Sequence, residues 1–73
     1  MKTRDWEHVV RAAERLGCQV LYTSEEHVHV VRGAIRMFAV RRFLVSARVQ
    51  HELIRALEFS ESEWLEALRE TES

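Results

Sequence analysis

GAIRMFAVRRFLVSARVQHELIRALEF, Gly33 to Phe59, admits two readings, and the fold turns on the choice between them. As one long helix, its polar residues Arg36, Arg42, Ser46, Arg48 and Gln50 scatter around the circumference, whereas a surface helix needs one apolar stripe. As two pieces, the segment is coherent. Ala34 to Arg42 forms a strand. Ser46 then caps a helix on which Val49, Leu53, Ile54 and Leu57 recur at helical spacing. Downstream, Ser60 caps a short last helix, SESEWLEALRE, with Glu63 at the capping-box position and Trp64, Leu65 and Leu68 to dock it.

Upstream of this segment, Gly33 marks a tight reversal. Before it, His27 to Arg32 alternates, with Val28 and Val30 on one face and His27, His29 and Val31 on the other. Ser24, Glu25 and Glu26 suit a hairpin turn, and CQVLYT, Cys18 to Thr23, suits a strand. Trp6, Val9, Val10, Ala13 and Leu16 predict a helix begun by Thr3 or Asp5 and ended by Gly17. The expected architecture is α+β: a three-stranded antiparallel sheet with helices packed on one face, in the order α-β-β-β-α plus a short C-terminal helix. Val28 and Val30 then face the helices, and the two histidines lie on the open face. Trp6, Trp64 and Phe38 are assigned to the core; Phe38 and Tyr22 would stack on bases if exposed.

The 73 residues make one domain, 1–73, close to the lower limit for independent folding, since a chain of ~60 residues buries only about 60% of its unfolded surface. The single cysteine, Cys18, excludes an internal disulfide and a cysteine-built metal cage, and fits a reducing cytoplasm. The first residues are charged throughout and do not read as a signal peptide. No apolar run approaches the ~18 residues of a membrane span. The formal net charge of −1 hides a basic middle and an acidic tail. From residue 32 to 57, Arg32, Arg36, Arg41, Arg42, Arg48 and Arg55 face Glu52 alone. Arginine's planar fork matches phosphate, so Arg32, Arg36, Arg41, Arg42 and Arg48 are candidate nucleic-acid contacts. Pairing within the chain is the competing explanation.

In this order of elements the chain resembles a known family, the HicA-type toxins of bacterial toxin–antitoxin pairs, whose N-terminal helix ends in a glycine. Gly17 stands for that family's helix-ending glycine, CQVLYT for its first strand, and Glu25-Glu26-His27 falls where the family has Gly-Ser-His. LIRALEFSESEWLEAL, Leu53 to Leu68, is similar to the family's end pattern: an amphipathic helix, a Leu-Ser-like step, acids, an aromatic and a leucine. The resemblance spans nearly the whole chain. It implies a double-stranded-RNA-binding-like fold, endonucleolytic cleavage of messenger RNA without a metal, a HicB-like antitoxin as partner, and His27 as the catalytic histidine. The sequence departs from the family at Glu25-Glu26. It also lacks the His-Pro-Asp-Gly-like hairpin and the valine-proline that ends the third strand, and it carries FLVS, Phe43 to Ser46, in place of a polar loop.

Metal-free RNA cleavage needs a base for the 2′-hydroxyl proton and an acid for the leaving oxygen. Histidine, with a pKa near ~6.5, serves either task, and arginine stabilises the charge that builds on phosphorus. His27 and His29 are the candidates, about 7 Å apart on one strand face; their plainer role is that of exposed polar strand residues. Arg36 and Arg41 fall on opposite faces, so register decides which joins the histidines. His27, His29, Cys18 and His51 are metal-ligand types, but only His27-x-His29 is closely spaced, so neither a metal nor another cofactor is expected. His8 and His51 are assigned to helix surfaces. Three functions follow as alternatives: a HicA-like endoribonuclease, a non-catalytic module that holds nucleic acid or protein, and a homodimer formed through an open sheet face, an edge strand or the apolar Phe43–Val45 stretch.

Overall fold

The structure, a computed structural model, describes residues 1–72. A two-residue strand, β1 (Arg4–Asp5), runs straight into α1 (Trp6–Arg15). Asp5 is the cap: its side chain accepts from the His8 N–H at 2.8 Å. The helix ends where Gly17 turns left-handed at φ 90°, with Gly17 N–H donating to Glu14 and Cys18 N–H to Ala13. The chain then forms β2 (Gln19–Tyr22), β3 (His27–Arg32) and β4 (Ile35–Val40), the last two joined through Gly33 at φ 57°. They make an antiparallel sheet in the order β2-β3-β4. The expected α+β architecture is the one observed.

After β4 the chain forms β5 (Leu44–Val45), then α2 (Ala47–Ala56) and α3 (Glu61–Glu70). Ser46 caps α2 through Val49 N–H at 3.2 Å, and Ser60 and Glu63 complete a reciprocal capping box on α3. Between them the chain turns left-handed at Glu58, φ 62°, without the glycine this position usually carries. Arg32 braces that turn. Its guanidinium donates to the carbonyls of Leu57 at 2.7 Å and Glu58 at 3.0 Å, and lies 4.0 Å over the Phe59 ring.

Val28 and Val30 are buried against α1, α2 and α3 with Trp6, Leu53, Trp64 and Leu68. Several local expectations are corrected. Leu65 is exposed, and Ala67 takes its place in the core, because the inward stripe of α3 runs through residues 64, 67 and 68. His8 is buried, not on the surface: its Nε2–H donates to the Leu68 carbonyl at 2.7 Å, tying α1 to α3. Phe38 is 72% exposed, because its strand face is the one no helix covers. The Phe43–Val45 stretch is no simple loop, since Leu44 and Val45 pair with Asp5 and Arg4. Gln50, fully buried, links this region: its Nε2 donates to the carbonyls of Lys2 and Val45, and its Oε1 accepts from Trp64 Nε1.

Candidate nucleic-acid interface

The registers fix the open face residue by residue. Along β2–β3, Leu21 faces His29 and Gln19 faces Val31. Along β3–β4, His27 faces Val40, His29 faces Phe38, and Val31 faces Arg36. Alternation puts all of these side chains on one side of the sheet, opposite Val28 and Val30. His29 thus lies in a row between Leu21 and Phe38. Its ring meets the Phe38 ring edge-on, with centroids 4.4 Å apart at 85°. His29 is half-buried by these neighbours, whereas His27, at the strand's outer end, is exposed.

His27 is oriented by its own hairpin. Ser24 Oγ lies 2.9 Å from His27 Nδ1. The same oxygen accepts from the N–H of Glu26 at 3.3 Å and of His27 at 3.1 Å. A hydroxyl has one proton and two lone pairs. With both lone pairs engaged by backbone donors, the serine proton goes to Nδ1. The neutral His27 ring therefore carries its own proton on Nε2, which points away from the turn. That tautomer can hydrogen-bond a phosphate oxygen directly. To act as a base through Nε2, the ring must hold its proton on Nδ1, which requires the Ser24 hydroxyl to rotate.

The candidate arginines do not form one cluster. Arg36 alone lies in the β4 rows on the histidine face, one row from His29. Arg32 is on the opposite face, with its guanidinium engaged at the end of α2, so it leaves the candidate surface. Arg48 is exposed on α2, 3.6 Å from Glu52. Arg41 and Arg42 follow β4 and share a hollow with four carboxylates, Asp5, Glu7, Glu25 and Glu26, none of them within ion-pair distance, and with Phe43. A second cleft of about 500 Å³ lies beside β4; His27, His29, Phe38 and Arg42 line it together with Val49, Glu52 and Leu53 from α2. Cys18 is in the core, where burial pushes its thiol pKa up against the opposing pull of the Arg32 charge; it is unsuited to act as a thiolate. His51 lies 3.6 Å from Glu61, away from the other histidines in the fold. Among the described residues, no three His, Cys, Asp or Glu side chains gather as a metal site.

Ser24 and Phe38 are the two site residues that sequence reasoning placed otherwise. Ser24 read as a turn residue, though a serine three positions before a histidine is the available signal. No family model matches the chain, and comparison with curated proteins and with solved structures likewise finds no match.

Proposed function

We propose that this chain is a HicA-like endoribonuclease that takes single-stranded RNA across the open face of its sheet. The observation that carries the reading is the setting of His27: exposed at the end of the central strand, held at Nδ1 by Ser24, and with Nε2 free toward the solvent. Phe38 offers a flat, exposed ring on which a base can stack beside it, a contact worth ~1–3 kcal/mol. Arg36 on the same face, with Arg41 and Arg42 beyond the end of β4, supplies the phosphate contacts. In the reaction the 2′-oxygen attacks the adjacent phosphorus and gives up its proton, and the P–O5′ bond breaks as O5′ takes one. His27 is the group placed to donate to the phosphate and to exchange these protons, and His29 is the neighbouring imidazole. The resemblance to HicA toxins makes a HicB-like antitoxin the expected inhibitor. The test is incubation of RNA with the purified chain in EDTA, beside folded His27→Ala. The reading requires cleavage by the first and at least a hundredfold less by the second, in line with the ~10²–10⁴-fold contribution of a general acid or base.

A second reading rests on a different feature of the same face. Leu21, Phe38 and Val40 are all exposed there, and Glu25 and Glu26 put negative charge next to His27. A module that holds a protein or a nucleic acid without cutting it, or that pairs with its own copy, makes use of an apolar face and has no need of a reactive histidine. Binding of RNA with no cleavage, or self-association with no salt-sensitive RNA binding, favours this reading over the first.

A further inference from the structure

Among the described residues, the outer edge of β4 has no neighbouring strand, and three observations converge on it. The first is which backbone groups are free. Arg41 N–H donates to the Glu26 carbonyl at 2.6 Å, one step beyond the His27–Val40 pair. Bonded and non-bonded pairs alternate along an antiparallel ladder. Val28–Ala39, Val30–Met37 and Arg32–Ile35 are therefore the bonded pairs, and the N–H and C=O groups of Arg36, Phe38 and Val40 point outward. The Thr23 N–H to His27 carbonyl bond at 2.9 Å gives the same alternation from the other side of β3.

The second observation is the space on both flanks of this edge. On the open side, Phe38 and Val40 are 72% and 48% exposed. The cleft of about 500 Å³ follows this edge: residues 37–40 line it from β4, and Val45, Val49 and Leu53 form an apolar wall that also carries Glu52. The third is charge. Among the described residues, Arg36, Arg41 and Arg42 have no carboxylate within ion-pair distance.

We propose that the β4 edge takes an extended segment of a partner protein as a fourth strand. Alternate apolar side chains of that segment enter the cleft, and its acidic side chains, on the open side, meet Arg36 and Arg42, which share that side by alternation. In strand addition the main-chain bonds give affinity and the pockets for alternate side chains give specificity, and this edge has both. A second copy of β4 fits less well: IRMFAV carries no acid, so self-pairing leaves the arginines unanswered. RNA answers the arginines but cannot match an alternating row of backbone donors and acceptors. The proposal does not depend on RNA cleavage.

The experiment is amide hydrogen exchange on the full ¹⁵N-labelled chain with synthetic heptapeptides at about 1 mM, the concentration suited to weak peptide binding. One peptide alternates glutamate and valine, one alternates lysine and valine, and a third is the glutamate peptide N-methylated at alternate nitrogens. At nine-tenths saturation the glutamate peptide slows exchange of the Arg36, Phe38 and Val40 amides about tenfold. Met37 and Ala39, already bonded to β3, do not change, and the lysine and N-methylated peptides have no such effect. Phe38→Pro removes one outward N–H without breaking a β3–β4 bond and abolishes the protection; if that variant does not fold, the N-methylated peptide puts the same question to the wild type. Four outcomes overturn the proposal: no protection, equal protection by the N-methylated peptide, protection that rises with protein concentration in the absence of peptide, and protection of these amides by oligouridine instead of the glutamate peptide.

Discussion

Replacing Gln50 with leucine keeps the side-chain volume and removes its amide. The structure says what is lost. Trp64 Nε1–H, 3.0 Å from Gln50 Oε1, and the Val45 carbonyl, 3.0 Å from Nε2, are in buried hydrogen bonds. The Lys2 carbonyl, 2.8 Å from Nε2, is only partly buried and can turn to water. Two buried groups left without partners cost about 1–3 kcal/mol each, and the leucine's added apolar burial returns about 1 kcal/mol. The net loss is ~3 kcal/mol, a large part of the ~4–11 kcal/mol expected for a domain of this length. Urea unfolding followed by tryptophan fluorescence measures it directly. Tm should fall by about 10–25 °C, at ~4–8 °C per kcal/mol. Trp64→Phe removes the orphaned donor, so Gln50→Leu should cost at least ~1 kcal/mol less in that background. A cost under about 1 kcal/mol, or strict additivity of the two changes, refutes the argument, because either means that Gln50 does not hold these groups together.

Arg32→Met removes both bonds to the left-handed turn at Glu58 and the stacking on Phe59, and should destabilise the domain by ~2–4 kcal/mol in urea unfolding while leaving RNA affinity unchanged. Ser24→Ala should shift neutral His27 from the Nε2–H tautomer toward a mixture of both, read from imidazole ¹⁵N shifts; an unchanged tautomer contradicts the hydrogen-bond count at Ser24. Hydrogen bonds from the Ser60 backbone and hydroxyl hold the Glu63 carboxyl below its usual 4.5, and the bond from Arg4 does the same for Glu72. A lowered carboxylate contributes its stability in full above the ordinary value and loses it as pH falls through the lowered one, so Tm should decline on acidification below 4.5. The decline should be shallower in Glu63→Gln/Glu72→Gln.

What was legible in the sequence is mostly local. Ser46, and Ser60 with Glu63, announce helix starts because a cap is decided within four residues. The alternation of His27 to Arg32 separates core valines from histidines because strand periodicity needs no knowledge of the partner strand. The rest depends on distant pairing. Phe38 looks like a core residue by type, and only the β3–β4 register shows that it shares a face with His29. Arg32 looks like part of the basic stretch until the fold brings Leu57 and Phe59 beneath it. Gln50 gives no sign in the sequence that Lys2, Val45 and Trp64 will meet at its amide. The apolar Leu44-Val45 pair is explained only when Arg4 and Asp5 come alongside as β1. For the histidines, the alternation identified the face, while the orientation of His27 comes from Ser24 geometry that the turn alone does not specify.

The proposed function places RNA on the open sheet face and not on the helices. The most direct measurement is a chemical-shift map of the ¹⁵N-labelled chain titrated with a 2′-O-methyl RNA, which cannot be cut. The largest shifts should fall at His27, His29, Arg36 and Phe38, with binding that weakens as salt rises. Shifts confined to α2 and α3, or no saturable shift at low salt, contradict that placement.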